Sequence, residues 1–494
     1  MVTTHPEIVF ILNDSEKKDR PAPGLSVLDY VREKLWLTGT KEGCKEGDCG
    51  ACLILVGSAQ PDGTVSYLPV TSCLMPAIEL HGKHLVTVEG LRCGEALSPV
   101  QQAMVECGGT QCGYCTPGFV VAMTAGLMDE QIPLNEAGVQ YAISGNLCRC
   151  TGYQSILKAG QAVTRAIKGE SLSGSRVTSL IQSGFLPRYF EEIPLRLAQI
   201  NEDVTLPAIP YVDSSQVNGS GSRTAEVILA GGTDLYVQQG RRLPDAKVRF
   251  LNQETPHQPA RNDQGMITLD ARMTFEAFVR DPVIRSCLPG LDDYNLLISS
   301  WPVRTRSSLG GNICNASPIA DMTCLLLALE SDLDVVHPDG GKRTVALASF
   351  FKGYKQLDLL PGEWIEQIRF PDPGDSRVHW EKVSKRAWLD IASVNAAGKV
   401  KLRNARVESI HLSLGGVAPV PLKLEETASC LLDQPLSSGQ LLEALNCMQG
   451  EISPISDVRG SARYKRLLAR QLLLAIFEKT LGDVVNVEDL HAAL

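Results

Sequence analysis

The sequence lacks several features that would place it in large functional classes. Its longest apolar runs, such as LLLAI near residue 473, are far shorter than a membrane span. The 47 lysine and arginine residues against 56 aspartate and glutamate residues give a net charge of −9, which offers no basic footprint for nucleic acid or an anionic membrane. Because no secretory signal peptide is visible, we expect a cytoplasmic protein whose thiols stay reduced.

Two common nucleotide-binding motifs are also missing. The chain has neither the G-x-G-x-x-G fingerprint of a Rossmann dinucleotide site nor a Walker A phosphate loop. Its 494 residues are enough for about three domains, and a hydrophobic content of 44% with a mean hydropathy of −0.01 indicates a globular chain. Any dinucleotide site must therefore be built from other turns.

Cysteine, by contrast, is abundant, and its spacing is informative. The first constellation consists of Cys44, Cys49, Cys52 and the more distant Cys73. A C-x4-C-x2-C run followed by a remote fourth cysteine is the plant-type [2Fe–2S] spacing. Glycines at positions 43, 47 and 50 would let the loop bend sharply around inorganic sulfide. Structural zinc favours paired C-x2-C knuckles, which this set lacks, so the spacing favours an iron–sulfur cluster.

The second constellation consists of Cys112, Cys115, Cys148 and Cys150. Its C-x2-C and C-x-C pairs are compatible with zinc as well as iron–sulfur, and the neighbouring set favours iron–sulfur here too. The remaining cysteines have no metal-ligand spacing, and we expect ordinary buried thiols at Cys93, Cys107, Cys287, Cys314, Cys324, Cys430 and Cys447.

The first 168 residues predict two small domains. Strands over 7–12, 52–57 and 65–70, with a helix within 25–37, predict a β-grasp ferredoxin-like domain over 5–90. Residues 91–168 predict four helices: Ser98-Pro99 and Thr116-Pro117 open the first two, with Ser98 as a cap, and Asn135 and Thr151 can cap the third and fourth. Both cysteine pairs of the second set precede helix N-termini, where the helix dipole favours thiolates and an anionic cluster.

The remainder of the chain predicts a linker and two further domains. Residues 169–192 begin with a Gly/Ser-rich stretch and predict a linker, as does the run over 214–223, while the less polar FLPRYFEEIP between them is expected to lie along the surface of another domain. Gly231-Gly232-Thr233-Asp234 and the stretch over 307–322 are glycine turns beside small polar residues, which can cradle a phosphate. Either turn alone is weak evidence for a phosphate site. Together, in a chain with two cluster sites, the two turns predict a non-Rossmann flavin dinucleotide domain over 193–375, followed by a further domain over 376–494.

In this order, the motifs GCKEGDCGAC, QCGYCTPG, NLCRCTGY, LAGGTDL and LGGNICNASPIAD resemble the molybdenum hydroxylase family. The likeness covers about residues 5–490 and is greatest to the small subunit of bacterial xanthine dehydrogenases. It implies an α+β multidomain chain with a β-grasp [2Fe–2S] domain, a four-helix [2Fe–2S] domain, an α+β FAD-binding domain of the non-Rossmann, vanillyl-alcohol-oxidase-like type and a C-terminal α/β flavoprotein domain.

The resemblance also implies roles for individual residues. Each cysteine constellation would hold one [2Fe–2S] cluster, and Gln111 and Cys150 match positions that face a molybdopterin. The matched FAD positions are Leu229, Ala230, Gly231, Gly232, Thr233, Asp234, Leu235, Ser308, Gly311, Asn312, Ser317, Asp321, Ile365 and Lys382. One departure is Ile298, which stands where the family often has an aromatic residue near the flavin, with Trp301 close by.

The function that the resemblance implies is electron transfer without a catalytic residue in this chain. Electrons from purine hydroxylation, which turns hypoxanthine and xanthine into urate, would pass through two clusters to FAD and then to NAD+. The chain ends before a molybdenum domain could begin, so we expect a large molybdenum-binding partner and, by analogy, a dimer of heterodimers. Alternatives are the equivalent subunit of an aldehyde or N-heterocycle hydroxylase, or a stand-alone iron–sulfur flavoprotein carrier.

Overall fold

The computed structural model describes residues 5–168, 174–203, 226–251, 257–262, 264–386 and 388–485. The chain divides into two compact units, Met1–Glu254 with Ser300–Ser307, and Thr255–Ser299 with Ser308–Leu494. Among the helices in these ranges, none has the length and apolar character needed to cross a bilayer. The Gly/Ser-rich runs over 169–173 and 214–223 lie outside the described residues.

A five-stranded sheet opens the first unit and confirms the β-grasp prediction. Its strands are Ile8–Leu12, Ser15–Asp19, Leu53–Ala59, Val65–Thr71 and Lys83–Val86, in the spatial order second, first, fifth, third, fourth. The first and fifth strands are parallel, and the other neighbours are antiparallel. The predicted helix spans Val27–Lys34, ends in a π turn and buries Val27, Leu28, Tyr30 and Val31. Short 3-10 turns cover Ser72–Leu74, Ala77–Leu80 and Val88–Leu91.

Four helices follow, as predicted, at Pro99–Glu106, Thr116–Met128, Glu136–Ala142 and Gln154–Lys168. Ser98 and Asn135 cap their helices; the Ser98 side chain forms a capping box with Gln101. The prediction for Thr151 was wrong, because the last helix begins at Gln154 after Tyr153, whose φ is +68°. The Thr151 hydroxyl instead lies 3.1 Å from the Cys148 Sγ.

The linker expected over 169–192 is not found in the described residues 174–192, which are largely helical. Residues 174–203 form the helices Arg176–Gln182 and Ile193–Asp203 with a 3-10 turn at Arg188–Glu191 between them. Leu180, Phe185 and Phe190 are buried in the core of the helical domain, while Ile193, Leu197 and Ile200 pack against the first strand. Apolar side chains among the polar ones thus dock this segment onto the first unit.

The rest of the first unit is a strand–turn–helix segment and a short second piece. Strand Val227–Leu229 pairs in parallel with Val248–Phe250, and helix Leu235–Gln239 and the 3-10 turn Leu243–Asp245 lie between them. Leu229, Tyr236 and Phe250 share a core with the β-grasp sheet. Helix Trp301–Arg304 completes the unit. The division into units therefore falls inside the FAD-binding domain expected over 193–375, whose bounds remain a prediction.

The second unit begins with a mixed α+β domain. Its five strands are Ala260–Arg261, Met266–Asp270, Asp332–Val336, Lys342–Ala346 and Trp364–Pro371. Helices around them are Phe275–Arg280, Pro282–Cys287, Leu291–Asn295, Leu309–Cys314, Asp321–Ala328 and Leu347–Phe350, and a small hairpin joins Phe351–Gly353 to Gln356–Leu357. The leucine-rich helix Asp321–Ala328 is almost wholly buried at the centre of this core.

A four-stranded antiparallel sheet and three helices complete the second unit. The strands are Arg377–Val383, Val394–Arg403, Arg406–Gly415 and Leu422–Lys423, and the helices are Glu425–Ser429, Ser438–Glu451 and Ala462–Leu481. The two strands predicted within 394–416 form a hairpin whose turn residues Asn404 and Ala405 have φ of +52° and +58°. The predicted C-terminal amphipathic helix is confirmed and packs on this sheet.

Candidate functional site

The first cysteine set converges from two segments of the β-grasp domain. Cys44, Cys49 and Cys52 lie on the loop before strand Leu53–Ala59, and Cys73 lies in the turn after strand Val65–Thr71. The Cys52 and Cys73 Sγ atoms are 3.4 Å apart, and the Cys44 thiol is hydrogen-bonded to Cys49. The four sulfurs therefore fall into two pairs.

The backbone of this loop is shaped to surround sulfur. The Cys44 N–H donates a hydrogen bond to the Cys49 Sγ at 3.4 Å, and the Glu46 N–H donates one to the Cys44 Sγ at 3.3 Å. The hydrogen bond from Cys44 lowers the pKa of Cys49 to about 6. A Cβ at Gly43 would lie 2.5 Å from the Cys49 Sγ, so only glycine lets the loop close here. Amide donors aimed at thiolates stabilise the anionic form that a metal requires.

The second cysteine set lies on two loops of the helical domain. Cys115 directly precedes helix Thr116–Met128, and Cys148 and Cys150 lie before helix Gln154–Lys168. The Cys112 and Cys150 Sγ atoms are 3.6 Å apart, and the Cys115 thiol is hydrogen-bonded to Cys148. The hydroxyl of Tyr153 accepts a hydrogen bond from the Cys148 N–H at 3.0 Å, which fixes the loop. This set also forms two pairs.

The pairing suits a dinuclear cluster. Two thiolates on one tetrahedral metal with bonds of about 2.3 Å are separated by about 3.8 Å, close to the 3.4 and 3.6 Å observed. Two pairs per set would supply two thiolates to each of two irons, which is the requirement of a [2Fe–2S] cluster. Within the described ranges, no three His, Cys, Asp or Glu side chains form a group that could hold a single metal ion.

The two cysteine loops are bonded directly to each other. The Leu147 N–H, next to Cys148, donates to the Cys49 carbonyl at 3.0 Å. The buried Asn146 side chain donates to the Gly50 carbonyl at 3.2 Å, and the Tyr114 hydroxyl donates to the Glu42 carbonyl. One hydrogen bond therefore links the residue beside Cys148 of the second set to Cys49 of the first.

The second loop is the more exposed of the two. Gln111, Cys112 and Cys150 are exposed, and Tyr114 and Leu147 present 48% and 42% of their surface to solvent. In the first set, Cys52 and Cys73 are buried. A group outside the chain can therefore reach the cysteine sulfurs on the side of the unit that carries Gln111 and Cys150. The position of Gln111 and Cys150 beside a molybdopterin stays a prediction.

The first predicted flavin segment, Leu229–Leu235, is a turn in the first unit between a strand and a helix. Gly232 has a φ of +79°, and a Cβ there would lie 3.1 Å from the Leu74 carbonyl oxygen. The turn shows the backbone freedom that was predicted for a phosphate-cradling loop. The Thr233 hydroxyl lies 3.2 Å from that of Ser307, which ties the turn to the second piece of the unit.

Arg306, which sequence reasoning missed, is the main support of this turn. Its Nε and Nη2 atoms donate to the Gly231 carbonyl at 3.1 and 2.8 Å, and its Nη1 donates to the Glu79 carboxylate at 2.6 Å. The side chains of this pair are 8% and 9% exposed. The only sequence signal is an arginine two residues before Ser308, and nothing in the pattern shows that it is buried.

Trp301, the aromatic residue close to Ile298, lies in the first unit. It is fully buried in the core of the helical domain, with its ring 5.7 Å from that of Tyr141. The neighbouring Arg304 also faces this domain and donates to the Tyr141 hydroxyl at 2.7 Å. Both side chains hold this segment onto the helical domain.

The second flavin segment lies in the second unit, and its predicted side chains are engaged in local structure. The Ser308 hydroxyl caps helix Leu309–Cys314 by accepting from the Gly311 N–H at 3.1 Å. The Asn312 side-chain oxygen accepts from the N–H and hydroxyl of Thr323 at 3.1 and 2.9 Å. The Ser317 hydroxyl accepts from the Ile319 N–H at 3.4 Å. These bonds fix the shape of the turn over 308–321.

The structure joins two predicted residues that are remote in sequence. Lys382 is buried and donates to the Asp321 carboxylate at 2.6 Å and to the Leu297 carbonyl at 2.8 Å. Asn395, opposite Lys382 on the neighbouring strand, donates to the other Asp321 oxygen at 2.6 Å. Sequence reasoning missed Asn395. Ile365 is 3% exposed, and its side chain packs in the core.

The basic loop after Lys382 is held by one carboxylate. The Asp390 side chain accepts from the backbone N–H groups of Lys385 and Arg386 at 2.8 and 3.1 Å. The Lys385 ammonium donates to the Val458 carbonyl at 2.9 Å. Both basic side chains are exposed to solvent.

Four family models match consecutive parts of the chain. They are a 2Fe-2S iron-sulfur cluster binding domain over 10–77, a [2Fe-2S] binding domain over 87–161, a FAD binding domain in molybdopterin dehydrogenase over 218–373, and a CO dehydrogenase flavoprotein C-terminal domain over 381–480. The matches support two iron–sulfur domains and one FAD-binding domain, in the predicted order.

The chain is also similar to several curated proteins. Xanthine dehydrogenase of Drosophila pseudoobscura pseudoobscura is 29% identical over 528 residues, which cover 95% of this chain and 39% of that protein. Xanthine dehydrogenase of Oryza sativa subsp. japonica is 27% identical, covering 88% and 37%, and aldehyde oxidase 4 of Rattus norvegicus is 25% identical, covering 97% and 40%. The chain thus spans about two fifths of the length of these relatives.

Among solved structures, reconstituted CO dehydrogenase from Oligotropha carboxidovorans matches with 26% identity and a TM-score of 0.47. The match covers 52% of this chain and 89% of that one. A TM-score at this level carries no functional conclusion.

Proposed function

We propose that this chain is the electron-transfer part of a molybdenum hydroxylase. Four family models in series and the similarity to xanthine dehydrogenases support that proposal. The chain receives electrons from a molybdenum centre held outside the described residues and delivers them to NAD+. The substrate we propose is a purine, hypoxanthine or xanthine, oxidised to urate.

The observation that carries the proposal is the geometry of the two cysteine sets. Each offers four sulfurs in two pairs, on adjoining loops of one compact unit. When bound, [2Fe–2S] clusters take up single electrons and a flavin collects two, which is the chemistry that a route to NAD+ needs.

The residues of the chain supply position and environment. The bond from Leu147 to the Cys49 carbonyl fixes one cysteine loop against the other. The exposed Cys150 and Gln111 offer a side on which a molybdopterin-bearing partner can dock, while Cys52 and Cys73 stay away from water. No side chain of this chain needs to act as a general base, because the chain positions electron carriers rather than a substrate.

The test is the complex isolated from its native source. We expect a large molybdenum-binding chain to accompany this one, in a dimer of heterodimers by light scattering, with xanthine-dependent reduction of NAD+. A complex that oxidises an aldehyde and not xanthine would assign the chain to the alternative that the rat aldehyde oxidase relative favours. A purified chain with clusters and flavin but no partner would favour a stand-alone carrier.

A further inference from the structure

Two cysteines outside both constellations face each other in the second unit. Cys430 directly follows helix Glu425–Ser429, and Cys447 lies on helix Ser438–Glu451. The Cys430 thiol donates a hydrogen bond to the Cys447 sulfur at 3.1 Å. Both residues are partly exposed, so a small reagent can reach them. Their sulfurs need to approach by only about 1 Å to reach the bond length of a disulfide.

The packing of the two helices holds the sulfurs in place. The Glu451 carboxylate accepts hydrogen bonds from the backbone N–H groups of Glu426 and Thr427 at 2.9 and 2.8 Å. Cys430 follows Glu426 by one helical turn, and Cys447 precedes Glu451 by one turn, so the helices run antiparallel and the sulfur contact lies one turn from the carboxylate contact. A bond between the sulfurs would therefore need little backbone movement.

We propose that Cys430 and Cys447 form a reversible disulfide, a modification site that is separate from the two cluster-type cysteine sets. The oxidant we assign is a low-molecular-weight disulfide such as glutathione disulfide. One cysteine thiolate attacks a sulfur of the oxidant, forms a mixed disulfide and releases one glutathione thiolate. The other cysteine thiolate attacks the protein sulfur of that mixed disulfide and releases the second glutathione.

The electrons and protons of this exchange balance. The two cysteine thiols lose two electrons and two protons, and glutathione disulfide gains them to become two thiols. The bond closes the segment from Cys430 to Cys447, in which 432–435 and Ser437 are exposed. Cross-linking such a segment reduces the freedom of the unfolded chain, so the oxidised protein should resist unfolding more than the reduced one.

The experiment uses the full chain with its clusters and flavin, equilibrated without oxygen in glutathione buffers from fully reduced to fully oxidised. Free thiols are alkylated, disulfides are then reduced and labelled with a heavier reagent, and the peptides are mapped by mass spectrometry. We expect a peptide pair linked through Cys430 and Cys447 that disappears in reducing buffer. The unfolding midpoint of the oxidised protein should lie a few degrees above that of the reduced protein.

Single replacements provide matched controls. Cys430→Ser and Cys447→Ser should each abolish the linked peptide and the shift in midpoint, and an unfolding midpoint equal to that of the reduced parent shows that the fold persists. The buried Cys324 of the same unit should remain a thiol throughout. The proposal is overturned if the wild-type pair stays reduced in a buffer that oxidises the urea-unfolded chain, or if each cysteine carries its own glutathione. The wild-type mapping decides the question even if a variant fails to fold.

Discussion

One buried arginine holds the Gly231 turn, and replacing it should weaken FAD binding. Arg306 gives the Gly231 carbonyl two hydrogen bonds, at 3.1 and 2.8 Å, and pairs with Glu79 at 2.6 Å. We predict that Arg306→Met lowers the affinity for FAD, because the turn loses the cation that fixes its carbonyl. The effect is indirect, since Arg306 acts on the turn and need not touch the flavin.

The magnitude follows from these contacts. A hydrogen bond from a charged group contributes about 1.5–3 kcal/mol. If FAD binding must reorder the turn at a cost of one such bond, the affinity falls roughly 10- to 100-fold, since about 1.4 kcal/mol is tenfold. Stability also falls, because Glu79 is left without its partner at 9% side-chain exposure. Removing one partner of a buried ion pair lowers the free energy of unfolding by about 3–5 kcal/mol.

The assay is a titration of flavin-free full chain with FAD, followed by quenching of flavin fluorescence. The cluster absorption of the same sample reports whether the first unit is folded. Glu79→Gln combined with Arg306→Met removes the stranded carboxylate, so it should recover stability but not FAD affinity. If Arg306→Met binds FAD with the parent affinity while its clusters are intact, either the turn does not need Arg306 or FAD does not use this turn.

Four further outcomes are expected. Reduced protein should show two distinct S = 1/2 resonances and about four irons per chain; bound zinc or a single resonance would contradict two clusters. Cys148→Ser should remove the resonance of the second cluster and spare the first, because Cys148 pairs with Cys115; loss of both would mean that the two domains unfold together. Gly232→Val should weaken FAD binding about tenfold, since a valine at a φ of +79° costs about 1–3 kcal/mol; stoichiometric FAD in this variant would place the phosphate turn elsewhere. The chain alone, with FAD, should reduce a dye from NADH without oxidising xanthine; bound FAD that NADH cannot reduce would argue against a nicotinamide acceptor.

Sequence predicted local structure wherever the signal is itself local. Ser98 and Asn135 cap helices as expected, because a cap depends only on one side chain and the next three residues. The two cysteine sets could also be predicted from the sequence, because their spacing is typical of a loop that wraps an iron–sulfur cluster. The failure at Thr151 is local too: its hydroxyl lies against Cys148, and the left-handed Tyr153 delays the helix.

Sequence failed where a remote partner decides the structure. Strand Ser15–Asp19 reads SEKKD and has no apolar alternation, because it is an exposed edge strand that forms by pairing with Ile8–Leu12. The linker expected over 169–192 was wrong at Arg176–Gln182, which forms a helix because the core of the helical domain takes up Leu180, whereas Phe190 of the less polar stretch packs on that domain as expected. In both cases the neighbouring element, rather than the segment itself, supplies the stabilising contact.

The same distinction limits how the flavin residues can be tested. Ser308 caps a helix, Asn312 binds Thr323, and Asp321 pairs with the buried Lys382. Replacing any of them disturbs the local fold, so FAD would be lost whether or not the side chain touches it. A contact can therefore be assigned only when the fold is shown to persist by an independent signal. The two cluster resonances report on the first unit alone, which is why Arg306 and Gly232, both in that unit, are the positions where loss of FAD is most informative.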